Sequence, residues 1–464
     1  MPVNSFDDYP MTWKPVLSGR EKPAYIQLAE QLEADIRKGK LKPGTKLPPQ
    51  RELADYLDVN LSTISRAMKL CSKKGLLTGN VGRGTYVSYN ISTNILKTND
   101  NGAKPLIDMS SMVPENIYQS EVRELLTELM SEKDFDNYLQ YSSGIMQWHK
   151  ETAAKLMKRA GCSASADNIL LAEGGQNAIT AVLTGLFSKV DRVGTEPLTY
   201  PGFKSAAMMA GIQPVAVEWA NHEITEEGIR YAVKNNGIKA IYLMPEYQNP
   251  VTHIMSDKSR RMIAECAKEL DILIIEDAIC SLLGNEKRNS IHEYAPDNTI
   301  FILSLSKTLV PALRTSYIAV PEKYRQQLDD ALYNINLSPS SLLTELASRL
   351  IASDRFEELI KRRRYGIQQR NKIADSIFNE HQLLGDENCL HRWLRLPEQI
   401  SGIEFEKAAA KKGVAVYGSD RFAVGRKVGE NGVRIAVCAP KNKESLINGL
   451  EIIKKIYKEF LKDM

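Results

Sequence analysis

Residues 47–77 read LPPQRELADYLDVNLSTISRAMKLCSKKGLL, and GRGTYV follows at 82–87. After the turn residues Pro43, Gly44, Pro48 and Pro49, a short helix is expected from about Gln50 to Tyr56. Asp58-Val59-Asn60 interrupts it. The next periodic run, Leu61 to Lys73, predicts a second helix ending at Gly75, which can take the left-handed cap conformation. On that helix Ile64, Ala67, Met68 and Cys71 share one face, leaving Ser62, Thr63, Arg66, Lys69 and Lys73 on the other. Two short helices joined by a tight turn are a geometry that fits a DNA major groove, with hydroxyls and cations available to phosphates and base edges. Leu76 to Thr78 and Thr85 to Val87 read as short strands around a Gly-rich turn, a hairpin wing.

Working outward, Ile26, Ala29, Leu32 and Ile36 give Ala24 to Lys38 one apolar helix face. From Arg37 to Tyr86 eleven Lys and Arg stand against three acids, Glu52, Asp55 and Asp58. A basic helix face alone is usually just solvated, but turn, helix and wing in this order favour nucleic acid. The whole chain hides the excess. Its 464 residues carry a formal charge of only +4, with 43% hydrophobic and 25% charged residues, so global charge names no partner. That length suggests about two to three domains. The polar stretch ISTNILKTNDNGAK at 91–104 reads as a linker. The expected division is a reader at 18–89, a linker at 90–107 and a large body at 108–464 with a smaller subdomain from about 325. Six cysteines lie far apart, without CxxC pairs or nearby histidines, so reduced buried thiols are expected and no metal site. The start MPVNSFDDYPMTWK lacks a basic flank followed by an apolar stretch, and no run approaches about 18 apolar residues, which predicts a cytoplasmic protein without a membrane span.

Beyond the linker, apolar strands at Ile169 to Leu171, Ala240 to Met244, Ile272 to Ile275 and Thr299 to Leu303 alternate with helical stretches, which argues for a mainly parallel sheet covered by helices. Chemistry-bearing residues cluster at the strand ends. Ser304-Leu305-Ser306-Lys307 puts a lysine beside two hydroxyls, Asp277 ends an apolar strand, and Gly174-Gly175-Gln176 opens a helix whose N–H groups can hold phosphate. Asn249-Pro250 and Tyr200, in EPLTYPG, lie between them. Each piece alone has an ordinary reading as a turn, a cap or packing. Together they supply what pyridoxal phosphate needs: an amine, an acid for the ring nitrogen, a flat group and a phosphate cradle.

The N-terminal motifs resemble the GntR-type winged helix over nearly all of residues 24–87. That resemblance implies that Arg51, Ser62, Thr63 and Arg66 contact operator DNA and that Arg83 and Gly84 enter the minor groove from the wing. Pro49 departs from it, standing where the family usually has a capping serine; proline suits a first helical turn but offers no hydroxyl. Residues 108–464 resemble fold-type I aminotransferases. This resemblance implies Lys307 as the Schiff-base lysine, Asp277 on the pyridine nitrogen, Asn249 on the phenolic oxygen and Tyr200 stacked on the ring. Gly175, Gln176, Ser304, Ser306 and Arg314 would hold the phosphate. Tyr141 matches the tyrosine lent across a dimer interface, and Arg434, in Gly432-Val433-Arg434-Ile435-Ala436, the arginine that grips an α-carboxylate. Cys280 stands where a tyrosine usually donates to the phenolic oxygen, and a thiol is a weak donor. Thr252 and Ser316 replace usual glycines.

Joined in this order, the halves resemble the MocR subfamily of GntR regulators. The implied protein is a head-to-tail homodimer that binds double-stranded operator DNA and senses an amino acid, an amine or a vitamin B6-related signal through pyridoxal 5'-phosphate on Lys307. The competing expectation is a working aminotransferase with a DNA-binding appendage. A protein that has lost the cofactor fits poorly while Lys307, Asp277 and Asn249 remain.

Overall fold

The computed structural model describes residues 11–17, 22–80, 84–91, 106–115, 117–140, 146–378, 382–425 and 429–462. Helices Ala24–Arg37, Gln50–Leu57 and Leu61–Lys73 form where the periodicity places them. Asp58 closes the second in the left-handed conformation, and the Asn60 side chain accepts from the Ser62 N–H at 2.9 Å to cap the third. Pro49 is the residue just before the second helix and provides no side-chain cap. Leu28, Leu32, Leu53, Ile64, Met68 and Val87 close one apolar core, joined by Trp13, whose indole N–H donates to Asp35 at 3.1 Å. Strands Leu77–Asn80 and Gly84–Val87 pair antiparallel, Thr78 opposite Tyr86, as the wing.

The large body is built on a seven-stranded sheet. In spatial order its strands are Ile169–Ala172, Ser316–Ala319, Thr299–Ser304, Leu273–Asp277, Ile238–Leu243, Arg192–Thr195 and Gln213–Ala216. Only Ser316–Ala319 runs antiparallel to its neighbours. Alternate residues serve opposite faces, as the pleat requires. Leu171, Leu303 and Tyr317 pack against Leu346, Leu350 and Leu359, while Leu170, Ile302 and Ile318 pack against Val182, Phe203 and Leu328. Both faces are therefore covered, which explains the near-continuous apolar strands.

The register brings the chemistry to one edge. Ser304 lies opposite Ser316, Ser316 opposite Ala172, and Asp277 beside Ile302, so Asp277, Ser304 and the turn after Ala172 share the carboxyl end of the parallel strands, where crevices of α/β sheets open.

A smaller lobe has the antiparallel strands Leu383–Leu384, Arg392–Arg395, Gly432–Ile435 and Tyr417–Gly418, packed on helices Gly402–Lys411 and Lys443–Lys462 through a core that includes Ala374, Phe405, Val433 and Leu450. Helices Glu322–Asn336 and Ser341–Ala352 pack instead against the large body. Ile107–Asp108 pairs with Val414–Ala415, which carries Ser110 and Met112 between the lobes. Among the described residues no helix is long and apolar enough to cross a membrane, and no cluster of His, Cys, Asp and Glu is arranged for a metal ion.

Candidate nucleic-acid interface and cofactor pocket

The capped Leu61–Lys73 helix buries Ile64, Ala67, Met68 and Cys71 and leaves Ser62 and Arg66 exposed and Thr63 half-buried. Arg51 is exposed in the first turn of the preceding helix. Gly84 is exposed at a φ of 96°, where a side chain would be strained and its Cβ would stand 2.8 Å from the Lys46 side chain. Arg83 and Tyr141 lie outside the described residues. The observed face is hydroxyls and guanidinium groups raised on a packed helix, the arrangement that reaches groove edges and phosphates.

Between the lobes a second group of side chains converges. Lys307 follows the Thr299–Ser304 strand, and its Nζ donates to the Met112 carbonyl. Burial lowers its pKa, and Arg434 nearby acts in the same direction against Cys438, Cys280 and Asp277. Asp277 is buried at its strand end, where Oδ2 accepts from the Tyr242 hydroxyl at 2.6 Å and Oδ1 from the Ile279 N–H at 3.2 Å. Burial pushes its carboxyl up to about 6, opposed by those hydrogen bonds and by Lys307.

The glycines of the turn after Ala172 make room for other groups. Arg314 Nη2 donates to the Glu173 carbonyl at 3.0 Å and lies over Gly174, where a Cβ would fall 2.5 Å from it. A Cβ on Gly175 would come 3.4 Å from Ser304 Cβ. Ser304 and Ser306 hydroxyls sit 3.2 Å apart. Gly175 opens a twelve-residue helix, so free N–H groups, two hydroxyls and a guanidinium surround one recess that side chains on the glycines would fill. Gln176 turns away from this role in part: its Nε2 donates to the Gly202 carbonyl at 2.9 Å. Tyr200 packs on Gly202, whose hypothetical Cβ would meet the ring at 2.3 Å, and burial, with Asp277, pushes its hydroxyl up to about 12 against Arg434 and Arg314.

Arg434 is buried. Its guanidinium donates to Asn249 Oδ1 at 2.8 Å and to the Ser110 carbonyl, and lies over the rings of Phe422 and Tyr417 at 5.0 and 5.4 Å. Its Nε has no partner, and burial pulls its pKa down to about 10. Thus Asn249 and Arg434, assigned separate tasks by the sequence reading, hold each other. Cys280 is buried, its thiol pushed up to about 12 by burial, so it remains protonated.

Several pocket residues escaped the sequence reading. Ser110 and Met112 contribute backbone carbonyls, which leave no mark in side-chain motifs. Tyr417 and Phe422 flank Arg434 from remote segments. Tyr242 did leave a signal, since it is the one hydroxyl in the otherwise apolar run from Ile241 to Met244. His391 is buried in the same region, its pKa pushed down to about 3 by burial and then by Arg434, against the backbone of Gln248 and Pro250.

Comparison with known proteins matches both halves. Residues 24–87 fit the family model of bacterial regulatory proteins of the gntR family. The HTH-type transcriptional regulator YdeF of Bacillus subtilis is 45% identical, over 98% of this chain and 99% of its own. The probable rhizopine catabolism regulatory protein MocR of Rhizobium meliloti is 22% identical over 82% of this chain and 81% of its own. Among solved structures, an archaeal alanine:glyoxylate aminotransferase aligns with a TM-score of 0.72 at 20% identity, covering 84% of this chain and 98% of that one. The kynurenine aminotransferase of Pyrococcus horikoshii aligns with a TM-score of 0.70 at 22% identity over 78% and 92%. The body has the aminotransferase fold.

Proposed function

Because the chain belongs to the MocR-type GntR transcription regulators, a winged helix-turn-helix fused to an aminotransferase-like body, we propose that the body is its sensor and holds pyridoxal 5'-phosphate on Lys307. The regulator is cytoplasmic. Its signal is an amino acid, an amine or a vitamin B6-related compound. Arg51, Ser62, Thr63 and Arg66, with Arg83 and Gly84 of the wing, are its contacts to operator DNA. The observation that carries the reading is the convergence of Lys307, Asp277 and the Gly174–Gly175, Ser304 and Arg314 recess at one sheet edge.

The donor set fits the cofactor. Bound there, pyridoxal phosphate supplies an aldehyde that exchanges one amine for another and a ring that withdraws electrons. Low proton affinity leaves Lys307 more often a neutral nucleophile. A cationic ring nitrogen beside Asp277 would draw its carboxyl back to the charged form. Gly175, Gln176, Ser304, Ser306 and Arg314 hold the phosphate, Tyr200 stacks on the ring, and Asn249 reaches its phenolic oxygen. Arg434 grips the carboxylate of the signal, for which Nε is already free.

The homodimer is part of the same reading, with Tyr141 reaching the partner's pocket. Exposed Met146, Tyr333 and Leu337 line a groove of about 1060 Å³ that gives a partner apolar surface. So is the division at 18–89, 90–107 and 108–464, with the smaller lobe drawn around its own core. Trp13 packs into the reader's core, so a truncation meant to free the reader should begin ahead of it.

Intact Lys307, Asp277 and Asn249 also favour a second reading, a working aminotransferase with a DNA-reading appendage. The buried Cys280 thiol, a poor donor, weighs against rapid turnover. The test is one titration read two ways. Amino acids are added to protein loaded with pyridoxal phosphate while cofactor absorbance and affinity for DNA selected by the full chain are followed. A spectral change coupled to a change in affinity, both lost in Arg434→Ala, is the expected result. Absence of any response overturns the sensor reading, and rapid multiple turnover with a 2-oxo acid establishes the enzyme.

A further inference from the structure

Lys204 stands out among the described lysines by its burial. It lies on the inner side of the Pro201–Ala210 helix, 1% exposed, and its Nζ donates to three backbone carbonyls: Ala423 at 2.7 Å, Arg421 at 2.9 Å and Tyr89 at 3.1 Å. An ammonium group has three donors, and here all three are used. The acceptors come from two parts of the molecule. Arg421 and Ala423 belong to the smaller lobe, while Tyr89 belongs to the segment by which the chain leaves the wing. Burial pulls the Lys204 pKa down to about 7 against nearby Asp420, so the amine is fully charged only below neutrality; charged or neutral, losing a partner leaves a desolvated amine or orphan carbonyls.

The surroundings reinforce the junction. The Tyr89 N–H donates to the Gly425 carbonyl at 2.9 Å, and the Gly425 N–H returns a bond to Asn90 Oδ1 at 3.1 Å. Asn90 Nδ2 donates to the Pro214 carbonyl at 3.1 Å. Across the same boundary, Gln213 Nε2 donates at 2.8 Å to the carbonyl of Ser72, in the last turn of the exposed DNA-facing helix.

Lys204 is also tied to the pocket through its own helix. The Tyr200 carbonyl accepts from the N–H groups of Phe203 and Lys204, at 3.1 and 3.4 Å. The Phe203 ring is stacked on Tyr242 at 4.2 Å, and the Tyr242 hydroxyl donates to Asp277. Phe422, between the two carbonyls that Lys204 holds in the smaller lobe, covers the Arg434 guanidinium. One ammonium group thus joins the exit of the DNA reader, the helix that begins at Tyr200 and the loop that carries the cover of Arg434.

We propose that Lys204 latches the DNA-reading unit onto the body, so that occupancy of the pocket at Tyr200, Asp277 and Arg434 sets how firmly the reader is docked. The latch is a feature of the fold alone; the coupling rests on the cofactor reading above. A ligand alters docking only by favouring one arrangement of this helix and loop over another.

Amide hydrogen exchange on the full-length protein tests both parts. Without cofactor, Lys204→Met should exchange the Tyr89 and Gly425 amides about tenfold faster than the parent, the scale of one charge-assisted hydrogen bond. Should Lys204→Met fail to fold, Asn90→Ala, which removes two half-buried bonds at the same junction, should speed the Tyr89 amide about threefold, the Gly425 amide being set aside because Asn90 is its own acceptor. Unchanged rates in the variant that folds overturn the latch, whether or not any cofactor binds. Addition of pyridoxal phosphate should slow both amides in the parent and leave them unaffected in Lys204→Met. If the parent gains cofactor absorbance while the Tyr89 and Gly425 rates stay fixed, the coupling is wrong. If it gains no absorbance, the cofactor reading and the coupling fall together, and the cofactor-free rates still decide the latch.

Discussion

The Leu61–Lys73 helix and the pocket between the lobes differ in how their residues are gathered. Ser62, Thr63 and Arg66 lie within five consecutive residues on one capped helix, and their directions follow from a period of 3.6. Lys307, Asp277, Gly174, Asn249 and Arg434 come from strand ends and turns spread over more than half the chain, and only sheet register and lobe packing bring them together. A local site is therefore altered one contact at a time. A site assembled by topology has members that hold each other, as Asn249 holds Arg434 and Tyr242 holds Asp277.

The largest expected effect separates the two regions completely. Lys307→Ala should abolish the absorbance of protein-attached cofactor, because no other described lysine stands beside Asp277, while the reader's helix and wing keep their own core. Absorbance spectra before and after addition of pyridoxal phosphate provide the check, together with DNA binding of the cofactor-free variant. An attached-cofactor band that survives the substitution would place the attachment elsewhere.

The next concerns the body alone. Glu196 is buried with Oε2 unpartnered, and burial pushes its carboxyl up to about 8 from 4.5. The unfolded chain sheds this proton near 4.5, whereas the folded chain keeps it to about 8. Stability from this group is therefore full below 4.5, declines as pH rises, and levels off above about 8, a loss on the order of a few kcal/mol. Glu196→Gln, neutral throughout, should remove that decline. Melting temperatures of parent and variant at pH 5 and pH 8 measure it: the variant should gain on the parent as pH rises. A constant difference between them would show that Glu196 titrates at its ordinary value.

How much was legible follows the same divide. Helix boundaries at Gln50 and Leu61 could be read because turn residues and periodicity are local signals. Four of the seven strands could be found, but not Arg192–Thr195, Gln213–Ala216 or Ser316–Ala319, nor the spatial order, since Ser316–Ala319 carries no sequence mark of its direction. Lys307, Asp277 and the Gly174–Gly175 turn were visible as motif pieces. Ser110, Met112 and the rings of Tyr417 and Phe422 were not, because backbone carbonyls and tertiary contacts between distant segments leave no spacing to read.

Arg66→Ala probes the local site. Loss of one good base or phosphate contact should weaken binding to selected DNA by about tenfold to a hundredfold at fixed ionic strength, with cofactor absorbance unaltered. If Arg66 contacts only phosphate, the loss will be uniform across sequences and the salt dependence shallower by about one ion. Equal affinity in parent and variant contradicts the placement of this helix on DNA.

The smallest effect is the sharpest test of how local the reader is. Asn60 accepts from the Ser62 N–H at 2.9 Å, satisfying one of the amides that the first turn of the Leu61–Lys73 helix cannot bond internally. Its side chain is exposed and touches nothing in the pocket, so Asn60→Ala should cost the reader about 1 kcal/mol and leave the body's melting unchanged. The substitution also frays the turn that presents Ser62 and Thr63, so DNA affinity should fall by less than in Arg66→Ala but in the same direction. Exchange of the Ser62 and Thr63 amides reports the cap directly, and denaturant melts followed by reader and body signals separate the two units. If the body loses stability along with the reader, the two unfold as one cooperative unit, and the contacts at Tyr89, Asn90 and Gln213 bind reader to body more strongly than the helix cap holds the reader to itself.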